Sequence, residues 1–177
     1  MIKYSYRLMH AVMLDRGIYE EVEHDRTATP QALATVLLSS VAAGIGAGGL
    51  AGPTLEAQLM TSGVALATWV AWAVLVQQIG MRWWPARQSH ADTGQLLRTL
   101  GFAAAPGYLQ VFAVFDPIAT PVFIAAWAWM LAAMVVAVRQ ALDYQSTWRA
   151  VVTASLALGL AVTLALVFGL VFGPAAY

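Results

Sequence analysis

The sequence predicts an all-α integral membrane protein with five transmembrane helices preceded by an amphipathic N-terminal interfacial helix. Three observations carry that prediction. The 177 residues are 60% hydrophobic and only 10% charged, with a mean hydropathy of +0.70, outside the usual range of a soluble domain. Five apolar stretches are each long enough to cross a hydrocarbon core, which takes about 20 helical residues. All nine Lys and Arg fall on alternate connections. Lys3, Arg7, Arg16 and Arg26 precede the first stretch; Arg82, Arg87 and Arg98 lie around the gap between the second and third; Arg139 and Arg149 lie around the gap between the fourth and fifth. The other two connections, 51–59 and 116–120, hold none. Short basic loops stay cytoplasmic, so the N-terminus is expected inside and the C-terminus outside.

Residues 1–29 form the expected cytoplasmic segment. Ile2, Tyr6, Met9 and Met13 recur at three- and four-residue spacing, with Lys3, Arg7 and Arg16 set off that stripe. Such a helix suits the headgroup zone of a bilayer, and a helix packed on cytoplasmic loops would show the same pattern. Gly17 is the expected break, followed by an acidic stretch ending at His24-Asp25. This segment is too charged for a signal peptide, so insertion is expected to begin with an uncleaved first span.

Residues 30–177 form the expected transmembrane domain. The first span, about 30–50, opens at Thr29-Pro30, a cap followed by a residue suited to the first helical turn. Its end, Gly44-Ile45-Gly46-Ala47-Gly48-Gly49, formally matches a dinucleotide fingerprint. No strand precedes it, so Gly44 and Gly48 are assigned to close helix packing instead. The second span, about 59–81, ends at Arg82, Trp83 and Trp84, an interfacial anchor.

Asp92-Thr93-Gly94-Gln95 predicts a capping box that opens the third span, about 95–115. Arg98 in its first turns is expected to snorkel to the headgroups as a further anchor. Pro106 and Gly107 predict a kink, because proline removes one backbone bond and clashes with the turn before it. A hairpin that dips and returns is the alternative for this span; the charge pattern opposes it, since Arg139 and Arg149 would then lie outside. The fourth span, about 121–138, opens at Thr120-Pro121, and the fifth covers about 150–172.

Chemistry is sparse. Net charge is zero and Cys is absent, which argues against a nucleic-acid partner and rules out disulfide or thiolate metal chemistry. No His lies in a span, so a ligated pigment or haem is not expected. His24 among Glu20, Glu21, Glu23 and Asp25 is the nearest thing to a metal or proton site, and such runs are more often solvated surface. No catalytic residue, cofactor or metal ligand is expected, and apart from Arg98 no ionisable side chain sits within a span, against a proton pump.

Leu97-Arg98-Thr99-Leu100-Gly101-Phe102-Ala103-Ala104-Ala105-Pro106-Gly107 resembles the Gly-Tyr/Phe-x-x-x-Pro element of the Yip (Ypt-interacting protein) domain family. The polar entry Tyr19-Glu20-Glu21-Val22-Glu23-His24-Asp25, followed by five spans, is similar to small bacterial members of that family. The Asp-Leu-x-Gly-Pro entry motif of eukaryotic members is absent. The resemblance implies a five-helix bundle and, in eukaryotes, a role in vesicle traffic and membrane shaping. For bacterial members it implies no established activity, cofactor or catalytic residue.

The expected function is therefore that of a non-catalytic accessory, assembly or organising subunit of a larger bacterial membrane complex, respiratory or photosynthetic. Its expected partners are other integral membrane subunits and lipids, with carotenoid or quinone held by apolar contact. The alternative is a small transporter or channel whose path runs through the Pro106-Gly107 break, and the expected location is the bacterial inner membrane.

Overall fold

The computed structural model describes residues 2–48, 54–83 and 92–172, and all regular structure among them is helical. Two short helices come first, α1 (Ile2–Val12) and α2 (Arg16–His24). Leu14 breaks them apart by adopting a left-handed backbone with φ 61°. Asp15 then caps α2, accepting the Gly17 amide at 2.9 Å. Gly17, the expected break, thus sits in the first turn of α2; the side-chain cap two residues earlier sets the boundary.

A single 3-10 turn leads into α3 (Thr29–Gly48), followed by α4 (Leu55–Arg82), α5 (Thr93–Ala103), α6 (Ala119–Ala141) and α7 (Thr147–Phe172). Among the described residues, four helical segments are long and apolar enough to cross a membrane: Arg26–Gly48, Leu55–Arg82, Asp116–Ala141 and Thr147–Leu164. The fourth of the boundaries read from sequence differs in its start. Helix α6 begins at Ala119 with no side-chain cap, so Thr120 lies inside its first turn. Helix α4 starts at Leu55, earlier than the apolar run, because Thr54 Oγ1 accepts the Ala57 amide at 3.2 Å.

Residues 93–114 are built differently. Gln95 reaches back to the Asp92 amide at 2.8 Å and opens α5. The α-helix stops at Ala103, and Ala105–Val114 continues as a 3-10 segment. Pro106 has no amide to donate and its ring would strike the carbonyl four residues earlier, so α-helical bonding ends just before it. The narrower, longer 3-10 coil carries the chain onward.

This composite runs alongside α3 in the same direction. Gly101 lies at Ala32, Gly107 at Ser39, and Gly46 at Gln110 and Ala113. The three α3 positions are seven residues apart, two helical turns, and so share one face. The core between the composite, α3, α4, α6 and α7 is mainly small, with Ala73, Ala103, Ala133, Ala137, Ala154 and Ala157 buried. Small side chains permit the close helix approach that substitutes for hydrophobic drive inside a bilayer.

Candidate functional site

Two groups of residues stand apart from ordinary packing: a polar clamp on the N-terminal helices and a cavity inside the bundle.

The clamp begins with Arg7. Its position on α1 turns it toward α2, where it is fully buried. Its Nε and Nη2 donate to Glu21 Oε1 at 3.1 and 2.7 Å, and Nη1 donates to Gln31 Oε1 at 3.0 Å. Asp25 is its second ion partner. Lys3 Nζ adds a 3.0 Å bond to Asp25 at the exposed rim. A buried guanidinium is stable only when its donors are met, and four hydrogen bonds to Glu21, Asp25 and Gln31 meet them here. Asp25 accepts the Thr27 hydroxyl at 2.6 Å and faces Arg7 and Lys3, which together hold its carboxyl well below the usual carboxylate range. Burial pushes the neighbouring Glu23 carboxyl the other way, up.

The clamp closes through Arg98, expected from sequence to snorkel to the headgroups; in the structure it is only 5% exposed. Its Nε donates to the Val22 carbonyl at 3.0 Å and its Nη2 to the Glu23 carbonyl. These are among the last carbonyls of α2, which the helix itself leaves without amide partners. Arg98 thus caps α2 and fastens it to α5. Tyr4 adds bonds to Thr35 at 3.1 Å and Tyr108 at 3.2 Å, and Trp129 Nε1 donates to the Val12 carbonyl at 2.8 Å. Tyr6 and Met9 on the outer face of α1, and Met13 just after it, remain exposed. His24 is engaged with the Glu20 carbonyl at 2.9 Å, and no three His, Asp or Glu side chains converge as a metal site among the described residues.

The cavity, about 310 Å³, lies between α3, α4, the 3-10 segment, α6 and α7. Its wall includes Ser39, Ala43, Trp69, Gln110, Trp127 and Met130 and, among the described residues, no charged side chain. Trp72 at its floor is satisfied, donating to the Ala154 carbonyl at 3.1 Å. Trp69 is not: its Nε1 is buried without a partner among the described residues. Gln110 is 3% exposed. Such a site can hold an uncharged molecule by contact; it offers no group to carry a proton or a metal.

The other residues singled out from sequence are placed as follows. Gly44 is buried against α4, where a Cβ would stand 2.9 Å from the Gln58 carbonyl oxygen. Gly48 is the last residue of α3. Arg82 and Trp83 are exposed at the end of α4, and Trp84 lies outside the described residues. Pro106 and Gly107 are buried in the composite. Gly107 is closed off by Ser39 and by Met130 Sδ, 2.8 Å from where its Cβ would be. Gly46 and Gly101, which hold the composite against α3, were not singled out as contact residues; the small residues Ala32, Ser39 and Gly46 at seven-residue spacing are the signal that marks their face.

Helix number, composition and this interior define a polytopic helical membrane protein. The chain matches the Yip1 domain model over residues 16–169 and belongs to the Yip1 domain family, membrane proteins not known as enzymes. The matched region holds both the Gly101–Pro106 element and the acidic entry on α2. No curated protein and no solved structure matches the chain.

Proposed function

We propose that this Yip1-domain protein is a non-catalytic accessory, assembly or organising subunit of a larger bacterial inner-membrane complex, respiratory or photosynthetic, and that it acts through helix contacts. In this reading the chain crosses five times, the composite 93–114 being the third crossing, with the N-terminus cytoplasmic and the C-terminus outside. The progression of Gly101, Gly107 and Ala113 along nearly the whole of α3 supports a full crossing over a hairpin that turns back. Arg16 and Arg139 line one shallow polar site at a single end of the bundle, as cytoplasmic basic residues should. Helix α1 would lie at the inner leaflet with Tyr6, Met9 and Met13 turned to lipid.

The observation that carries the contact reading is a pair of notches. Gly63 on α4 and Gly159 on α7 face open space, with no described residue within 4 Å of an added Cβ. Around them the helices expose Met60, Val64, Leu156, Leu160 and Val162. A glycine notch in a large apolar surface lets a partner helix approach backbone to backbone, which is how membrane helices associate. At Gly107 itself Ser39 and Met130 close the space, and among the described residues the cavity next to the break, lined by Ala104 and Gln110, has no charged side chain, so a transport path has less support.

Co-purification in mild detergent, with mass spectrometry, tests the reading. A stoichiometric set of membrane subunits should accompany the tagged chain and be lost in Gly63→Leu or Gly159→Leu, which have room to fold. A wild-type chain that emerges alone and monomeric contradicts it.

A further inference from the structure

We propose that the intramembrane cavity is a binding site for a neutral, carbonyl-bearing ring lipophile of the quinone class, which enters sideways from the bilayer.

Size comes first. An engineered apolar cavity of about 150 Å³ suffices for benzene, so 310 Å³ accommodates a substituted ring and the start of its tail. The wall is suited to a flat ring: Trp69, Phe123 and Trp127 offer aromatic faces and edges, and Met130 and Met134 offer polarisable sulfur.

Charge and polarity narrow the class. Among the described residues no Asp, Glu, Lys, Arg or His lines the cavity, so an anionic or cationic headgroup would be buried unpaired, which is prohibitive. Neutral polar groups nevertheless line it, and two of them bear on the occupant. Gln110 is more than nine-tenths buried and lines the cavity with a side-chain amide that can donate or accept. Trp69 Nε1 is buried and unpartnered among the described residues, and an indole nitrogen only donates. Buried polar groups are normally satisfied, and orphans mark an absent partner. The partner must therefore bring an acceptor. A ring carbonyl does so without adding charge; a plain acyl chain brings no acceptor at all.

Access is lateral. Val64 and Trp127 line the cavity and are also exposed on the outer surface, at 59% and 41%. A lipophile in the bilayer therefore reaches the site without crossing water. Binding rests on this chain alone, so it is separable from the accessory-subunit reading and survives that reading's failure.

The test is a titration of the purified full chain, in phospholipid nanodiscs, with decylubiquinone, read by tryptophan fluorescence quenching. The expected result is saturable quenching that Trp69→Phe and Trp127→Phe diminish. Gln110→Leu, which keeps the bulk and removes the amide, should raise the half-saturating concentration about tenfold, the worth of one buried hydrogen bond. Ala43→Phe should abolish saturation by filling the cavity. Ala47→Phe, at an exposed position on the rim, serves the same purpose should Ala43→Phe not fold. Ala132→Phe, on the exposed surface of α6, should change nothing. Linear quenching that is equal in wild type and the cavity-filling variants means partition into lipid only and overturns the site. Saturation unaffected by Gln110→Leu, or displaced equally well by hexadecane, makes the occupant a hydrocarbon chain and overturns the carbonyl assignment.

Discussion

Gly46 packs directly on the Gln110 carbonyl: a Cβ added to Gly46 would collide with the carbonyl oxygen and sit 3.1 Å from its carbon and from Ala113 Cβ. The contact lies at one end of a register whose other members are Ser39 with Gly107 and Ala32 with Gly101. A 3-10 segment this long is unusual by itself. It is held here because glycine and alanine let α3 lie almost backbone to backbone against it.

Enlarging either side of that register should separate the two strands of chain. Gly46→Leu and Gly101→Val are each expected to destabilise the protein by about 1–3 kcal/mol or more, the usual cost of overpacking. Thermal unfolding in detergent, followed by circular dichroism, measures this. Gly63→Leu, facing open space, should leave the midpoint within about 0.5 kcal/mol of wild type.

Arg98→Ala should release α2. It removes both donors from the Val22 and Glu23 carbonyls, and hydrogen bonds from a charged donor are worth about 1.5–3 kcal/mol each. Hydrogen exchange over residues 16–25 should quicken while exchange in α6 stays slow. Arg98→Lys should restore protection only in part, because an ammonium lacks the guanidinium fork that meets two carbonyls at once.

The clamp should loosen in acid. Asp25 has its folded pKa depressed, chiefly by the Thr27 hydroxyl and then by Arg7 and Lys3. A depressed acid contributes stability that is present above its unfolded value, 3.8, and lost as pH falls through the folded value. Glu23 has the opposite sign: its folded pKa is raised by burial, so its ionised form costs stability and that cost fades as pH drops. In Glu23→Gln, α1 protection should therefore hold from pH 7 to 5 and fall only below the ordinary carboxylate range. Asp25→Asn should weaken protection at neutral pH and flatten the acid dependence, as hydrogen exchange against pH would record.

Much of the helical layout is legible in the sequence because each apolar run is local. The Asp92–Gln95 cap is local too, and its pattern announces itself. Helix α4 reaches one turn beyond the apolar run because a threonine cap outweighs hydropathy at that end. Arg98 could not be placed from sequence, since a long basic side chain near a span end snorkels by default and its acceptors lie 75 and 76 residues away. Gln110 and Trp69 look like ordinary interior residues until α3, α6 and α7 are seen to leave a space beside them. The pairing of Gly46 with Gln110 is equally non-local, although the seven-residue run of small residues on α3 hints at the face it uses.

The absence of cysteine makes the central claim, a third crossing that spans the full membrane, directly accessible to measurement. Single cysteines are introduced as Asp116→Cys and Gln145→Cys, and intact cells are treated with a membrane-impermeant maleimide. A composite that crosses fully places residue 116 outside and residue 145 inside, so Asp116→Cys should label in whole cells and Gln145→Cys only after lysis. Labelling of Gln145→Cys in intact cells, with Asp116→Cys protected until lysis, would mean that residues 93–114 turn back and would contradict the five-crossing account.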